Sequence, residues 1–283
     1  MAAQLSRARY PWARFREVSA SGLGVVRPLI GPGGPDPQGW NFKAAWPPSY
    51  WAFGRMRALL AIEDAMALPA KTVLEVASGD GALCAVLAQA GRSTAANDLR
   101  IENLRSGLTH FRNGGAVRQL GGNLFDLDPE VTGRFDLVIA CEILEHVAHT
   151  QEFLIQLKRF LNPGGRVLIT TPNGEFFRNR LPTWSQVQDF TALEKDQFKP
   201  DADGHLFLIT PNELAQLSLA AGYTLERMYV WGSPPLTGNA GLHRLAGRWA
   251  AGVARLGESL VQWLPARWRS RLCTGLVGVL RQD

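Results

Sequence analysis

Residues 72–90 read Thr72-Val-Leu-Glu-Val-Ala-Ser-Gly-Asp-Gly-Ala-Leu-Cys-Ala-Val-Leu-Ala-Gln-Ala90, and this stretch decides the fold. Val73-Leu74-Glu75-Val76 is a short apolar run, Ala77-Ser78-Gly79-Asp80-Gly81 is a turn of small residues, and a helix-prone stretch begins at Ala82. A buried parallel strand that breaks through glycines into a helix N-terminus leaves backbone N–H groups facing a ligand. Glycine serves there because a side chain would block that close approach. By itself the turn is a generic nucleotide-binding element. A dinucleotide fold is disfavoured, because Cys84 stands where the third glycine of G-x-G-x-x-G belongs.

Outward from this stretch, strand and helix signals alternate. Strands are expected near 72–77, 93–97, 116–120, 134–140, 165–171 and 223–230, with helices near 81–90, 99–110, 149–161 and 211–221. Ser49–Leu68 adds a helix before them, and Thr210-Pro211-Asn212-Glu213 is a capping box with proline at the first helical position. Thr274–Arg281 reads as a final edge strand, its two glycines weakening the pattern. The alternation predicts an α/β fold with a doubly wound, mostly parallel, seven-stranded sheet and a helical insertion before the last strand. Three regions result: an N-terminal extension over 1–48 containing the turn-rich loop 31–39, a nucleoside-binding domain over 49–231, and an amphipathic helical segment with the final strand over 232–283.

Apolar content of 46% and charged content of 19% exclude a disordered chain. No apolar stretch approaches the ~20 residues a membrane-spanning helix needs. The basic N-terminus has no apolar h-region behind it. Cys84, Cys141 and Cys273, odd in number and far apart, argue against a disulfide framework, so a cytoplasmic location is expected. The net charge of +5 sits at the ends: +3 over residues 1–40 and +5 over 241–283, leaving the middle at −3. A slightly acidic body with basic ends is not built for nucleic acid, which is not an expected partner.

Further landmarks follow the glycine turn in order. Asp98 ends the second strand, where a carboxylate can accept both ribose hydroxyls. Asn123 and Leu124 follow the third strand, where an amide side chain and a backbone N–H can read an adenine edge. The fourth strand runs into Cys141-Glu142-Ile143-Leu144-Glu145-His146, and the fifth ends in Thr170-Thr171-Pro172-Asn173.

With these motifs in order, the chain over residues 49–231 resembles the class I S-adenosylmethionine-dependent methyltransferases, whose fold is Rossmann-like. The resemblance implies S-adenosylmethionine as cofactor, held by Glu75, Ala77, Ser78, Gly79, Gly81, Asp98, Asn123, Leu124 and Cys141. Ala77 replaces the first glycine of the family's acidic-x-Gly-x-Gly-x-Gly turn, and Asn123 stands where Asp is commoner. The sulfonium is an activated methyl donor, so the protein must align a nucleophile and help remove its proton.

Glu142, Glu145 and His146 are candidates for that task, since i, i+3 and i+4 on a helical turn share a face. This Glu-x-x-Glu-His segment is similar to the metal-binding segment of ubiquinone-pathway O-methyltransferases and of small-RNA 3′-terminal 2′-O-methyltransferases. In the latter a histidine downstream of Thr-Pro-Asn completes the site, and His205 in Asp203-Gly204-His205 matches it. The similarity implies a divalent metal such as Mg²⁺ on Glu142, Glu145, His146 and His205, with Glu142, His146 and His205 as catalytic residues. The alternative reading gives Glu142 a structural or cofactor-proximal role and has Glu145 and His146 cap or brace the helix. His110, His149 and His243 receive no role, His149 being placed as exposed at a helix start.

Residues 174–204 carry Phe176, Phe177, Trp184, Phe190 and Phe198, and are expected to cover an acceptor pocket or to form a satellite core. The expected activity is O-methylation of a small-molecule, sugar or glycolipid-precursor hydroxyl. RNA 2′-O-methylation and a non-catalytic, cofactor-binding regulatory role are the alternatives. Leu242, Leu245, Trp249, Val253, Leu256, Leu260 and Trp263 form an apolar stripe flanked by arginines. Packing of the stripe on protein is the expected outcome, and peripheral association with an anionic membrane, worth ~1 kcal/mol per basic residue, is the other.

Overall fold

The computed structural model describes residues 4–10, 30–31, 34–35, 50–197, 204–237 and 250–283. Most of the 1–48 extension, Phe198, and the stripe positions Leu242, Leu245 and Trp249 lie outside the described residues.

Seven strands form one sheet: β1 (Thr72–Val76), β2 (Ser93–Asp98), β3 (Arg118–Gly121), β4 (Phe135–Cys141), β5 (Leu161–Pro172), β6 (Tyr223–Trp231) and β7 (Gly275–Gln282). Their order is β3-β2-β1-β4-β5-β7-β6. All neighbours pair in parallel except β7, which runs antiparallel to both β5 and β6. The central strands are apolar on both faces because helices cover both. In β4 the period of two shows directly: Val138 and Ala140 join one core, Leu137 and Ile139 the other. The first core is closed by α4 (Thr150–Leu157) and α5 (Pro211–Ala220), the second by α1 (Tyr50–Ala67) and α2 (Ala82–Gln89), with α3 (Ile101–Leu108) packed beside α2. The capping box at Thr210 forms as expected: its hydroxyl accepts from Glu213 N–H and the Glu213 carboxylate accepts from Thr210 N–H.

One expectation is corrected. The last strand is not an edge strand: β7 inserts between β5 and β6, and β6 is the outer one. Its glycines serve this placement, since a Cβ at Gly275 would run into the Trp231 indole and one at Gly278 would crowd Leu214. Ser6 of the N-terminal segment pairs on β6, donating its N–H to the Met228 carbonyl at 2.8 Å.

The amphipathic segment is described as α6 (Ala250–Trp263) and α7 (Ala266–Leu272). Leu256, Leu260 and Trp263 do not pack on the body of their own chain: they are 62%, 60% and 72% exposed. The inward face carries Glu258 and Gln262 instead. Glu258 accepts from Ser233 N–H (2.7 Å) and from the Tyr10 hydroxyl, while the Gln262 amide donates to Val230 O (3.0 Å) and accepts from Ala8 N–H (3.1 Å). Fully paired polar groups remove the cost of burying that face.

Candidate active site

The strand order reverses between β1 and β4, and ligands in doubly wound sheets bind where the strand ends part. Two non-glycine residues with positive φ sit there, Ala77 (φ 53°) after β1 and Glu142 (φ 51°) after β4. Left-handed backbone at a side-chain-bearing residue stores strain that clusters at functional sites. The glycine turn begins at Ala77. Gly79 (φ 59°) would present a Cβ to open space, so the turn leaves room at that point for a ligand.

Asp98 organises this turn. Its Oδ2 accepts from Gly79 N–H at 2.8 Å and its Oδ1 from Arg100 N–H at 2.8 Å, each oxygen keeping a lone pair for a further donor. A cavity of about 510 Å³ opens beside it, lined by Ala77, Asp98, Asn123 and Leu124 from the expected set. Asn123 also caps the turn that follows, accepting from Phe125 N–H at 3.2 Å. Glu75, Ser78, Gly79, Gly81 and Cys141 lie off the cavity wall. Gly81 packs against Leu104 and Leu108, and burial pushes the Cys141 thiol up to about 12.

Glu75 is buried, with Oε2 unpartnered. Burial, helped by the charges of Asp80 and Asp98, pushes its carboxyl up from 4.5 to about 8, against the hydrogen bond to Cys84. The folded protein therefore holds a proton between about pH 4.5 and 8 that the unfolded chain has released. Stability from this group is complete below pH 4.5 and is lost as pH rises towards 8. The loss is on the order of 5 kcal/mol. Denaturant unfolding at stepped pH should show this slope in the wild type and a much flatter one in Glu75→Gln. The residual slope belongs to Asp64 and Glu145, which burial also raises. Equal slopes in both proteins would show that Glu75 is not the group.

The carboxylate–histidine segment departs from the expected geometry. Residues 144–146 form a 3₁₀ turn, and the positive φ of Glu142 swings that side chain away. Glu142 Oε1 accepts from Thr170 Oγ1 (2.8 Å) and Oε2 pairs with Arg57 Nη1 (3.0 Å). The three candidate ligands that do gather are Glu145, His146 and His205. Leu206 N–H donates to Glu145 O at 2.8 Å, which brings His205 beside a turn some sixty residues earlier. Glu145 is fully buried; Oε2 accepts from Thr171 Oγ1 (2.9 Å) and Oε1 has no hydrogen-bond partner. That oxygen faces His146 Nε2 at 4.0 Å and His205 Nε2 at 3.9 Å. His146 Nδ1 lies 3.2 Å from the Gly204 carbonyl, to which it can only donate, so in the neutral ring Nε2 presents a lone pair. Burial, then the charge of Glu142, raises the Glu145 carboxyl. A buried carboxylate oxygen and two imidazole nitrogens around a common space match the donor set of a divalent ion.

Four residues were not singled out from the sequence as site residues. Arg57 is brought to Glu142 by α1, which is anchored through Asp64 to Arg227 (2.5 Å) and to the Tyr229 hydroxyl (2.7 Å). Leu99 is an exposed apolar residue on the cavity wall, and its position directly after Asp98 was the available signal. His149 and Gln197 line the same cavity. His149 is partly exposed and meets Glu194 at 2.7 Å, and Gln197 accepts from Ala148 N–H, so the cover is tied to the cavity rim. The rest of the cover forms a satellite core: Trp184 and Phe190 pack on each other and Phe190 on Phe207, while Phe177 is exposed.

Residues 50–227 match the family described as "Methyltransferase domain". A ubiquinone biosynthesis O-methyltransferase of Dechloromonas aromatica is 31% identical over 178 residues, covering 62% of this chain and 74% of that one. The protein of the same name from Pseudomonas paraeruginosa is 33% identical over 113 residues, covering 40% of this chain and 49% of that one. The chain spans about half the length, or less, of the Pseudomonas, Caulobacter and Rickettsia relatives it matches. Among solved structures, the CcbJ methyltransferase of Streptomyces caelestis shares the fold, with a TM-score of 0.51 at 17% identity over 97% of this chain and 100% of that one. With a glycine turn, an aspartate at the end of the second strand and a cavity at the switch point of a β3-β2-β1-β4-β5-β7-β6 sheet, this chain belongs to the class I S-adenosylmethionine-dependent methyltransferases.

Proposed function

We propose that this protein transfers the methyl group of S-adenosylmethionine to a hydroxyl oxygen of a small-molecule, sugar or glycolipid-precursor acceptor, and that Glu145, His146 and His205 hold a divalent metal ion for the reaction. The observation that carries it is the unpartnered Glu145 Oε1 facing two imidazole nitrogens, on the segment whose neighbours Ile143 and Val147 line the nucleoside cavity. The names of the relatives, O-methyltransferases, support oxygen as the atom methylated.

The chain's own residues divide the work. Asp98 accepts the ribose hydroxyls, and Leu99 and Leu124 provide apolar walls for the adenine. Glu75 lies beneath the glycine turn as a buried acceptor towards the amino-acid end of the cofactor. Arg57 and Thr170 hold Glu142 fixed, so its charge favours a cation at the neighbouring cluster. His146, oriented by Gly204, and His205 turn ring nitrogens towards the same space. A divalent ion there supplies Lewis acidity that lowers the pKa of an acceptor hydroxyl. The donor is already activated, so alignment and deprotonation are the remaining requirements.

The test is an acceptor screen with labelled methyl donor across phenols, sugars, glycolipid precursors and RNA ends, with Mg²⁺ or with chelator. Transfer to a hydroxyl that chelator stops and Mg²⁺ or Mn²⁺ restores is the expected result. Transfer indifferent to chelator removes the metal from the reading, and methylation of RNA ends alone replaces the acceptor class.

A further inference from the structure

Apart from Arg7 and Arg267 over its tryptophan rings, the outward face of α6 and α7 has no partner among the described residues. Leu256, Leu260, Trp263 and Trp268 are exposed together, although the helices that carry them are firmly placed. Glu258 and Gln262 fix one side of α6, and Gly257 sits so close to Pro235 that a Cβ would collide with its ring. Asn173 Nδ2 donates to the Ser270 and Cys273 carbonyls at 2.7 and 2.8 Å, tying the end of α7 to β5. The Arg269 guanidinium donates to the Leu5 and Ser6 carbonyls. The apolar side chains are thus held outward by a paired polar inner face. An apolar patch of this kind on a rigid element marks an interaction surface.

Charge identifies the partner. Arg7, Arg255, Arg267 and Arg271 are exposed around the patch. Glu258 is the only carboxylate from Ala250 to Leu272, and it is buried. The Arg7 guanidinium lies 4.0 Å from the centre of the Trp263 ring, and that of Arg267 5.7 Å from Trp268. Tryptophan beside arginine is the composition of a surface that enters the headgroup layer of an anionic bilayer. A two-fold contact between copies would set this arginine ring against itself, at a cost in like-charge repulsion. No described helix is long and apolar enough to cross a membrane, so the contact is peripheral.

We infer that the α6–α7 face docks the protein on an anionic lipid surface, with Leu256, Leu260, Trp263 and Trp268 entering the interface and the surrounding arginines meeting lipid phosphates. This holds whatever acceptor the methyl group reaches.

The test is sedimentation of the full chain with vesicles of phosphatidylcholine alone and of phosphatidylcholine with 30% phosphatidylglycerol (about a third anionic, to raise the surface potential), at low and high salt. Binding to the anionic vesicles should be at least ~10-fold tighter than to neutral ones and should weaken in high salt, with a blue shift of tryptophan emission. Leu260→Ser/Trp263→Ser should lose most of that binding and keep the wild-type unfolding midpoint and circular dichroism, because both side chains are exposed. Arg255→Glu/Arg267→Glu should lose the preference for anionic vesicles. A protein that stays in the supernatant with both vesicles at both salts overturns the inference. So does a concentration-dependent dimer in lipid-free sedimentation velocity that Leu260→Ser/Trp263→Ser abolishes, since the face would then belong to a second copy.

Discussion

Asp98→Ala loses S-adenosylhomocysteine binding by about 100-fold or more, measured by calorimetry, and with it the thermal stabilisation that saturating ligand confers on the wild type. Hydrogen bonds to a charged acceptor are worth about 1.5–3 kcal/mol each, and the variant forfeits two from the ribose. It also frees the Gly79 N–H that Asp98 Oδ2 holds at 2.8 Å, so the glycine turn loses its brace in the same step. Asp98→Asn separates the effects: one oxygen can still brace the turn, while the charge and the second acceptor are gone, and an intermediate loss is expected. In the wild type, ligand at 100 times its Kd stabilises by about 2.7 kcal/mol. A wild type with no thermal shift at millimolar ligand, or an Asp98→Ala variant with an undiminished one, would overturn the assignment of this cavity to the nucleoside.

Changes in the Glu145–His146–His205 cluster have the opposite profile. Glu145→Gln and His205→Ala should reduce methyl transfer by about 10³-fold or more, the scale of losing an electrostatic group at a reacting oxygen. Ligand affinity at the Asp98 site should stay within about threefold of wild type. Glu145→Gln keeps the bond from Thr171 and removes a buried acid, so its stability at pH 8 should equal or exceed that of the wild type. Mn²⁺ binding followed by electron paramagnetic resonance reads the cluster without turnover, and it should vanish in both variants. If Mn²⁺ does not bind the wild type while His205→Ala is inactive, the cluster acts as proton acceptor, with His205 as its base.

The correspondence between sequence and structure is closest where the determinants are local. The strand-turn-helix at residues 72–90 is stated by an apolar run, a glycine turn and a helix former in succession, and it forms as β1 and α2. β5 begins at Leu161, four residues before the expected start, because Asn162-Pro163-Gly164-Gly165 is carried inside the strand. Asn162 donates to Asp136 on β4 at 2.8 Å, a pairing across 26 residues that no local pattern reports.

The site divides in the same way. Asp98, Asn123 and Leu124 could be placed from their position at strand ends, since a parallel sheet delivers consecutive strand ends to one edge. The Glu142-x-x-Glu145-His146 segment could be found but not folded from its spacing. Helical spacing puts all three on one face, whereas a positive φ at Glu142 sends it to Arg57 and leaves His205 as the third partner. Arg57 was invisible because nothing in α1 shows that Asp64 locks that helix against Arg227 and Tyr229.

By itself, then, the sequence determined the α/β class, the order of the strands along the chain, the glycine turn and the strand-end positions of Asp98, Asn123 and Leu124 that line the cavity, all encoded within windows of a few residues. Tertiary structure alone decided that β7 enters between β5 and β6, that Glu145 rather than Glu142 meets the two histidines, and that α6 buries Glu258 and Gln262 while exposing its leucines. Each of those outcomes depends on partners distant in sequence: a tryptophan across a glycine, a backbone carbonyl beyond a turn, a serine N–H and a tyrosine hydroxyl for a buried carboxylate. Periodicity tells which side chains share a face. Which face turns inward is settled by whether its polar groups find partners there.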